Sequence, residues 1–289
     1  MPAPSMFRSL PSLAPLLAAL LAWAPPAPAA APAAASAAAP LRIVLPPLHP
    51  SAREHAAYFP ALLRLALEKT RASDGPFEIS VFPRELTSPR QALELKNNGV
   101  INVMWDGSNA QRERELLAVP VSLLGELNDY RVLLIRRQDA PRFAAVRTLE
   151  QLAALRAGAG VNWPSTEILR ANGLPVVTAI SYEFLFPMLQ GGRFDYLPRG
   201  VYEAWFEQRV HAGRGLVVEP DIFLHYRVPF HFFVSRDNPA LAARIERGLR
   251  LAQRDGSFAR LFNGVPAFRR SLDEIRAGKR RVFELRPLP

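Results

Sequence analysis

The chain of 289 residues contains no cysteine. That absence removes disulfides, thiolate metal ligands and cysteine nucleophiles together, so a packed core has to hold the fold. Long apolar runs are also scarce. Beyond the N-terminal segment nothing approaches the roughly 20 residues that a membrane-spanning helix needs, and the mature chain is expected to be soluble. There is no G-x-S-x-G elbow and no H-E-x-x-H zinc helix. The spacing of His49 and His55 suits neither one face of a helix nor a usual metal pair, and no metal or cofactor is expected. Acidic residues are outnumbered, 26 against 36 basic, for a net charge of +10. Such a balance can mean nucleic acid or an anionic surface. Here the arginines are scattered, the one tight cluster is KRR at 279–281, and no nucleic-acid motif accompanies it. Scattered charge of this kind describes a solvated surface, so no nucleic-acid partner is expected.

The N-terminus follows a recognisable order. Residues 13–24 (LAPLLAALLAWA) are apolar but too short to span a bilayer, and PPAPAAAPAAASAAAP follows with several A-x-A-like sites. A weakly basic start, an apolar centre and a small-residue exit describe a secretory signal peptide. Residues 1–39 are therefore set apart as leader and low-complexity Ala/Pro segment. The remainder, about 250 residues, suffices for one large domain or two lobes with real cores.

Along that remainder apolar spacing alternates between strand and helix lengths. LRIVLPP (41–47) reads as a strand, 52–69 as a helix, and FEISVF (77–82) as a strand. SPRQALELKNNG (88–99) opens on Ser-Pro and stops at Asn-Gly, a well-punctuated helix. VINVMW (100–105) and DYRVLLIRR (129–137) are further strands. The pattern then restarts. A helix at 148–155 carries Thr at its cap, followed by strand 157–163, helix 164–173, strand 174–180, helix 181–192, strand 193–198 and helix 201–210. Strands at 215–220 and 228–236 precede a helical end over 238–262, broken near Asp255-Gly256. Two successive runs of alternating elements imply an α/β protein with two sheets, each flanked by helices.

NWPSTEIL (162–169), GGRFDYL (191–197) and the segment 232–262, taken in order, resemble the type-2 periplasmic solute-binding proteins, in particular the polar amino-acid-binding branch, extracellular solute-binding protein family three. NWPSTEIL (162–169) resembles the strand–turn–helix motif in which G-S-T-x-E opens a helix. GGRFDYL (191–197) resembles the family's G-R-x-D strand, and FFVSRDNPALAARIERGLRLAQRDGSFARLF (232–262) its closing segment. In order and spacing the likeness covers 41–262. It implies a two-lobed fold: lobe one from 40–132 and 233–289, lobe two inserted as 133–232, and YRVLLIRR and VPFHFFVSR as the two hinge strands. It further implies a periplasmic monomer that captures a small solute in the interlobe cleft, closes about the hinge, and serves a transporter, such as an ABC transporter, or a receptor without performing chemistry.

Ser165 and Thr166 begin a helix, where unpaired N–H groups and the helix dipole favour an anion. In the family this site, with one arginine of the first lobe, holds a ligand carboxylate. The matching run here is MWDGSNAQRERELL (104–117), in which Arg112 best fits the spacing and Arg114 is second. A guanidinium fork suits a carboxylate because two parallel donors meet two oxygens. The plainer reading of Arg112 is a surface residue paired with Glu113 or Glu115. Trp105 is expected as an apolar cleft wall or as core packing, and Ser108 as a hydrogen-bond donor or a turn residue. His49 and Tyr58 lie where the family often places cleft aromatics. One departure is informative. The aspartate that binds a ligand ammonium in amino-acid binders falls here at Arg199–Gly200, and Glu203, one helical turn on, is the candidate substitute. Asp195 is expected to cap or pair locally. The ligand is therefore expected to be a small polar or anionic solute.

Two rival readings remain. Periplasmic cyclohexadienyl dehydratases look similar, and Glu167, Asp195 and Glu203 supply carboxylates, although no arrangement forces catalysis. A ligand-sensing module for a separate membrane signalling protein is the other, and the residues do not separate a transporter partner from a sensor.

Overall fold

A computed structural model describes residues 39–48 and 53–287 of the chain; the expected leader, up to residue 38, and His49 lie outside the described residues. The strands, in chain order, are β1 Leu41–Leu45, β2 Phe77–Val81, β3 Met104–Gly107, β4 Leu116–Ala118, β5 Tyr130–Arg136 and β6 Ala157–Gly160. They continue with β7 Val176–Ala179, β8 Tyr196–Gly200, β9 Leu216–Val218, β10 Ile222–His225, β11 Phe230–Ser235 and β12 Arg281–Glu284.

The first lobe carries two small sheets. β1 pairs in parallel with β2, Leu41 opposite Phe77 and Leu45 opposite Val81. Parallel neighbours need a crossover, and the helix Tyr58–Lys69 provides it, burying Phe59, Leu62, Leu63, Ala66 and Leu67. β11 lies between β3 and β4 and is antiparallel to both. The second lobe is built on one seven-stranded sheet, ordered β12-β10-β5-β8-β6-β7, with β9 also on β5. β5 is its spine: Val132, Leu133, Leu134 and Ile135 are all fully buried, an unbroken apolar run of the kind found in strands covered on both faces. The fold is thus the two-lobed α/β arrangement expected from the sequence.

The boundaries differ in places from those expected. The strand expected at 193–198 begins only at Tyr196. Asp195, just before it, accepts the Arg156 backbone N–H at 2.8 Å and an Arg142 N–H at 3.1 Å, with Arg136 at 3.6 Å. Asp195 thus pairs with its neighbours, as expected, while its backbone N–H still donates to the Arg156 carbonyl at 2.8 Å. The short β4, the strand β10, the edge strand β12 and the helix Pro266–Arg276 were not read from the sequence.

The C-terminus also departs from the expected partition. The resemblance places residues 233–289 in lobe one, but β12 pairs in parallel with β10 of the large sheet. Phe283 and Leu285 are buried in the second lobe's core, and Asn172 exchanges hydrogen bonds with the Arg286 backbone, donating at 2.9 Å and accepting at 2.8 Å. A third passage therefore joins the lobes. The basic cluster 279–281 serves this passage. Arg280 donates to the Glu219 carbonyl and lies 5.1 Å from the Phe223 ring centroid, and Arg281 donates to the Val146 carbonyl at 2.8 Å. Among the described residues no helix is long and apolar enough to cross a membrane.

The helix Pro239–Arg254 packs on Tyr58–Lys69 through Gly248, where a Cβ would stand 2.0 Å from the Ala66 carbonyl oxygen. Alanine is the better helix former by about 1 kcal/mol, whereas overpacking against backbone costs about 1–3 kcal/mol. Gly248→Ala is therefore expected to lower stability in urea denaturation, and an increased midpoint would contradict this packing.

Candidate functional site

The site begins where the chain passes between lobes. Tyr226 N–H donates to the Asp129 carbonyl at 3.0 Å, Val201 N–H to the Tyr130 carbonyl at 3.2 Å and the Asn128 amide to the Val228 carbonyl at 2.6 Å. Beside these ties lies a cavity of about 320 Å³ lined by residues of both lobes.

The first lobe contributes an aromatic wall. Phe59 stacks on Trp105 at 5.4 Å and 18° and on Phe230 at 5.3 Å and 28°, so Trp105 both lines the cavity and packs on the core. The second lobe contributes Trp163 and Ser165. Gly160 makes room for Trp163, since a Cβ there would lie 2.5 Å from the indole nitrogen. Pro164 then starts the helix Pro164–Ala171, a position where its missing N–H is harmless. Thr166 is fully buried and donates its hydroxyl to the Gly160 carbonyl at 2.6 Å, which leaves Ser165 as the helix-start residue on the cavity.

Charge is arranged in three groups. Arg199, on β8, lines the cavity, yet its Nε donates to Glu207 at 2.8 and 2.9 Å and its Nη2 pairs with Glu207 at 2.6 Å and Glu203 at 3.0 Å. Trp163 and Tyr182 flank its guanidinium at 4.8 and 5.4 Å. Burial alone would lower the Arg199 pKa, but Glu203 and Glu207 outweigh it and hold the pKa well above its usual value. Burial likewise opposes the charge of Glu203, but Arg199, His55 and Arg131 more than offset it, so its pKa lies below the ordinary carboxylate value. Glu203 also accepts the Gly200 N–H at 3.0 Å and stands 4.0 Å from His55.

The second group is Arg112 with Asp106, paired at 2.8 Å. Asp106 faces the cavity and also accepts the Ser88 hydroxyl at 2.8 Å. Arg112 is buried behind it, donating to the Gly107 carbonyl and lying over the Phe233 ring. The third is Arg131, on β5, which lines the cavity and has no carboxylate partner among the described residues. Behind it Tyr226 is buried, and burial raises its hydroxyl pKa against the opposing positive field of Arg131.

Of the residues expected at the site, Trp105, Ser165, Arg199 and Glu203 come together on the cavity. Arg112, Ser108 and Thr166 do not line it. Arg112 is held by Asp106, Ser108 donates its hydroxyl to Glu113 and its N–H to the Pro229 carbonyl, and Thr166 is tied to Gly160. The second candidate, Arg114, is exposed. Tyr58 is a core residue whose hydroxyl donates to the Leu123 carbonyl at 2.9 Å, and burial raises its pKa. Sequence reasoning missed Arg131, Asp106, His55 and Tyr202 as lining residues. The one available signal was an arginine set at the head of the apolar strand YRVLLIRR.

The fold has counterparts among solved structures. An ancestral arginine-binding protein bound to arginine superposes with a TM-score of 0.59 at 12% identity, covering 78% of this chain and 98% of its own. An ancestral amino acid-binding protein, a precursor of cyclohexadienyl dehydratase, gives 0.57 at 12% identity over 78% and 94%. A histidine kinase sensor domain with similarity to periplasmic binding proteins gives 0.54 at 15% identity over 78% and 96%. The fold is that of the type-2 periplasmic solute-binding proteins. No protein-family model and no curated protein matches the chain. Within this fold Arg199 is paired with both Glu203 and Glu207.

Removing Arg199 would strand Glu207, which is 2% exposed, beside Glu203. Arg199→Ala is expected to cost about 3–5 kcal/mol in chemical denaturation; a loss below about 1 kcal/mol, the scale of a surface pair, would refute the buried pairing. The lowered pKa of Glu203 has a definite sign. Its stabilisation is full above the unfolded carboxylate pKa of about 4.3 and fades as pH falls through the lower folded value. The melting-temperature gap between the wild type and Glu203→Gln should therefore shrink from pH 7 towards pH 3, and a constant gap would show that Glu203 is not held ionised.

Proposed function

We propose that the chain is a periplasmic solute-binding protein that captures a small polar or anionic solute between its lobes, for a membrane transporter or a sensor. The cavity carries this reading. It sits against the passages that join the lobes and draws its lining from both, so a solute held there would contact both halves at once. Its volume, about 320 Å³, is at the lower end of ligand pockets, about 300–1,000 Å³. An aromatic wall faces placed polar groups, which is the usual division between affinity and orientation in such pockets. Export by a signal peptide and a monomeric state belong to the same proposal. Neighbours whose names declare arginine binding, amino-acid binding and a sensor domain support capture in general and leave both kinds of partner in play.

The neighbour named as a dehydratase precursor favours one second reading, an enzyme on this fold. Its chemistry would use Glu203 and His55, the acid–histidine pair on the cavity, because Glu167 is exposed, Asp195 is tied to arginines and Asp106 is paired with Arg112. A thermal-shift panel of amino acids, dicarboxylates and aromatic acids separates the readings. A captured solute at a hundredfold excess over its Kd should stabilise the protein by about 2.7 kcal/mol and be recovered unaltered. Turnover of a prephenate-like acid would replace the binding reading with the enzymatic one, and a panel without any stabilising member would sink the proposal.

A further inference from the structure

We propose that Arg131 anchors the solute, and that the solute class it selects is a monocarboxylate with a flat apolar body; this rests on the reading of the cleft as a solute site. Three arginines stand on or directly behind the cavity, and two have their charge answered from within the protein. Arg199 is held by Glu203 and Glu207, and Arg112 by Asp106. Arg131 is 9% exposed, its Nη1 donates to the carbonyls of Asn128 and Tyr130, and no carboxylate of the described residues forms an ion pair with it, although Glu203 and Asp129 lie within reach of its field. Its guanidinium lies 5.0 Å from the centroid of the Tyr226 ring.

An arginine keeps its charge at any ordinary pH, and a guanidinium so far from water is unfavourable without a counter-ion. Backbone carbonyls and the field of Glu203 offset part of that cost, but among the described residues the guanidinium lacks a directly bonded counter-ion. An anion in the cavity would supply one. Arg131 and Ser165 line the same cavity, and Ser165 is in the first turn of the helix Pro164–Ala171. There Pro164 has no N–H and the Thr166 N–H donates to the Trp163 carbonyl at 3.0 Å, so Ser165 is the donor residue of that turn on the cavity. A planar fork beside a second donor matches the two oxygens of a carboxylate.

The remaining charges limit the anion to one negative group. Asp106 and Glu203 both face the cavity, and Glu203 is held ionised, so a second carboxylate or a phosphate dianion would meet repulsion. The wall of Phe59, Trp105 and Phe230 offers a flat apolar surface for the rest of the molecule.

The test uses the full chain and phenylacetate as the probe, with phenylacetamide and succinate for comparison. Arginine Nε–H and tryptophan indole signals are followed by NMR, the Arg131 signal being assigned from its loss in Arg131→Gln. Phenylacetate is expected to move the Arg131 signal together with the indoles of Trp105 and Trp163. The amide and succinate should bind at least about tenfold more weakly, as should phenylacetate to Arg131→Gln, in line with loss of hydrogen bonds to a charged group. Arg131→Lys, which keeps the charge and loses the fork, provides a second variant should Arg131→Gln not fold, and should recover only part of the affinity. Indole shifts without an Arg131 shift, or equal binding of acid and amide, would overturn the anchor and leave the cleft reading standing. No shift of either indole or of Arg131 would overturn both.

Discussion

A guanidinium out of water between two carboxylates cannot lose a partner without leaving a bare charge behind. Arg199 is in that position, with Glu207 on two of its nitrogens and Glu203 on one. Much of the second lobe's cleft face depends on this contact. It ties β8 to the helix Ala204–Val210, places Trp163 and Tyr182 against the guanidinium, and keeps Glu203 ionised on the cavity. Tyr182 joins it by donating its hydroxyl to Glu207 at 2.7 Å. The packing of Trp163 in turn sets where the helix Pro164–Ala171 begins, and so where Ser165 stands.

The contact also changes what the cleft presents to a solute. An arginine at position 199 reads, in isolation, as a positive charge where an acid is expected. Within the fold its charge is overbalanced by two carboxylates, and it is no lone anion site. The same logic applies across the cleft, where Arg112 holds Asp106 in place and Asp106 is the group on the cavity surface. The electrostatic character of the site therefore follows from pairings, not from a count of basic residues.

The third passage between lobes is a separate constraint. β12 adds a parallel strand to β10, and its neighbours Leu285 and Arg286 tie to His225 and Asn172. A hinge of two strands would leave the lobes linked at one place. Here the segment after the helix Pro266–Arg276 returns to the second lobe, so lobe movement has to carry this strand as well.

The sequence by itself determined the alternation of elements, the restart near 148, the resemblance to the solute-binding fold and four of the cavity-lining residues, because these depend on local spacing, capping and motif order. The helices at 88–96 and 164–171 were legible from their Ser-Pro and Pro starts and Asn-Gly stops. Tertiary structure alone decided which charged side chains reach the cleft. Arg112 and Arg131 carry the same group, and only the placement of Asp106 beside one and of backbone carbonyls beside the other distinguishes them. It also decided the course of the C-terminus, since β12 has a charged, weakly strand-like sequence and is held by the backbone edge of β10 and the burial of Phe283. Pairing partners far apart along the chain leave no periodic trace in it, and for that reason they had to be seen in the folded molecule.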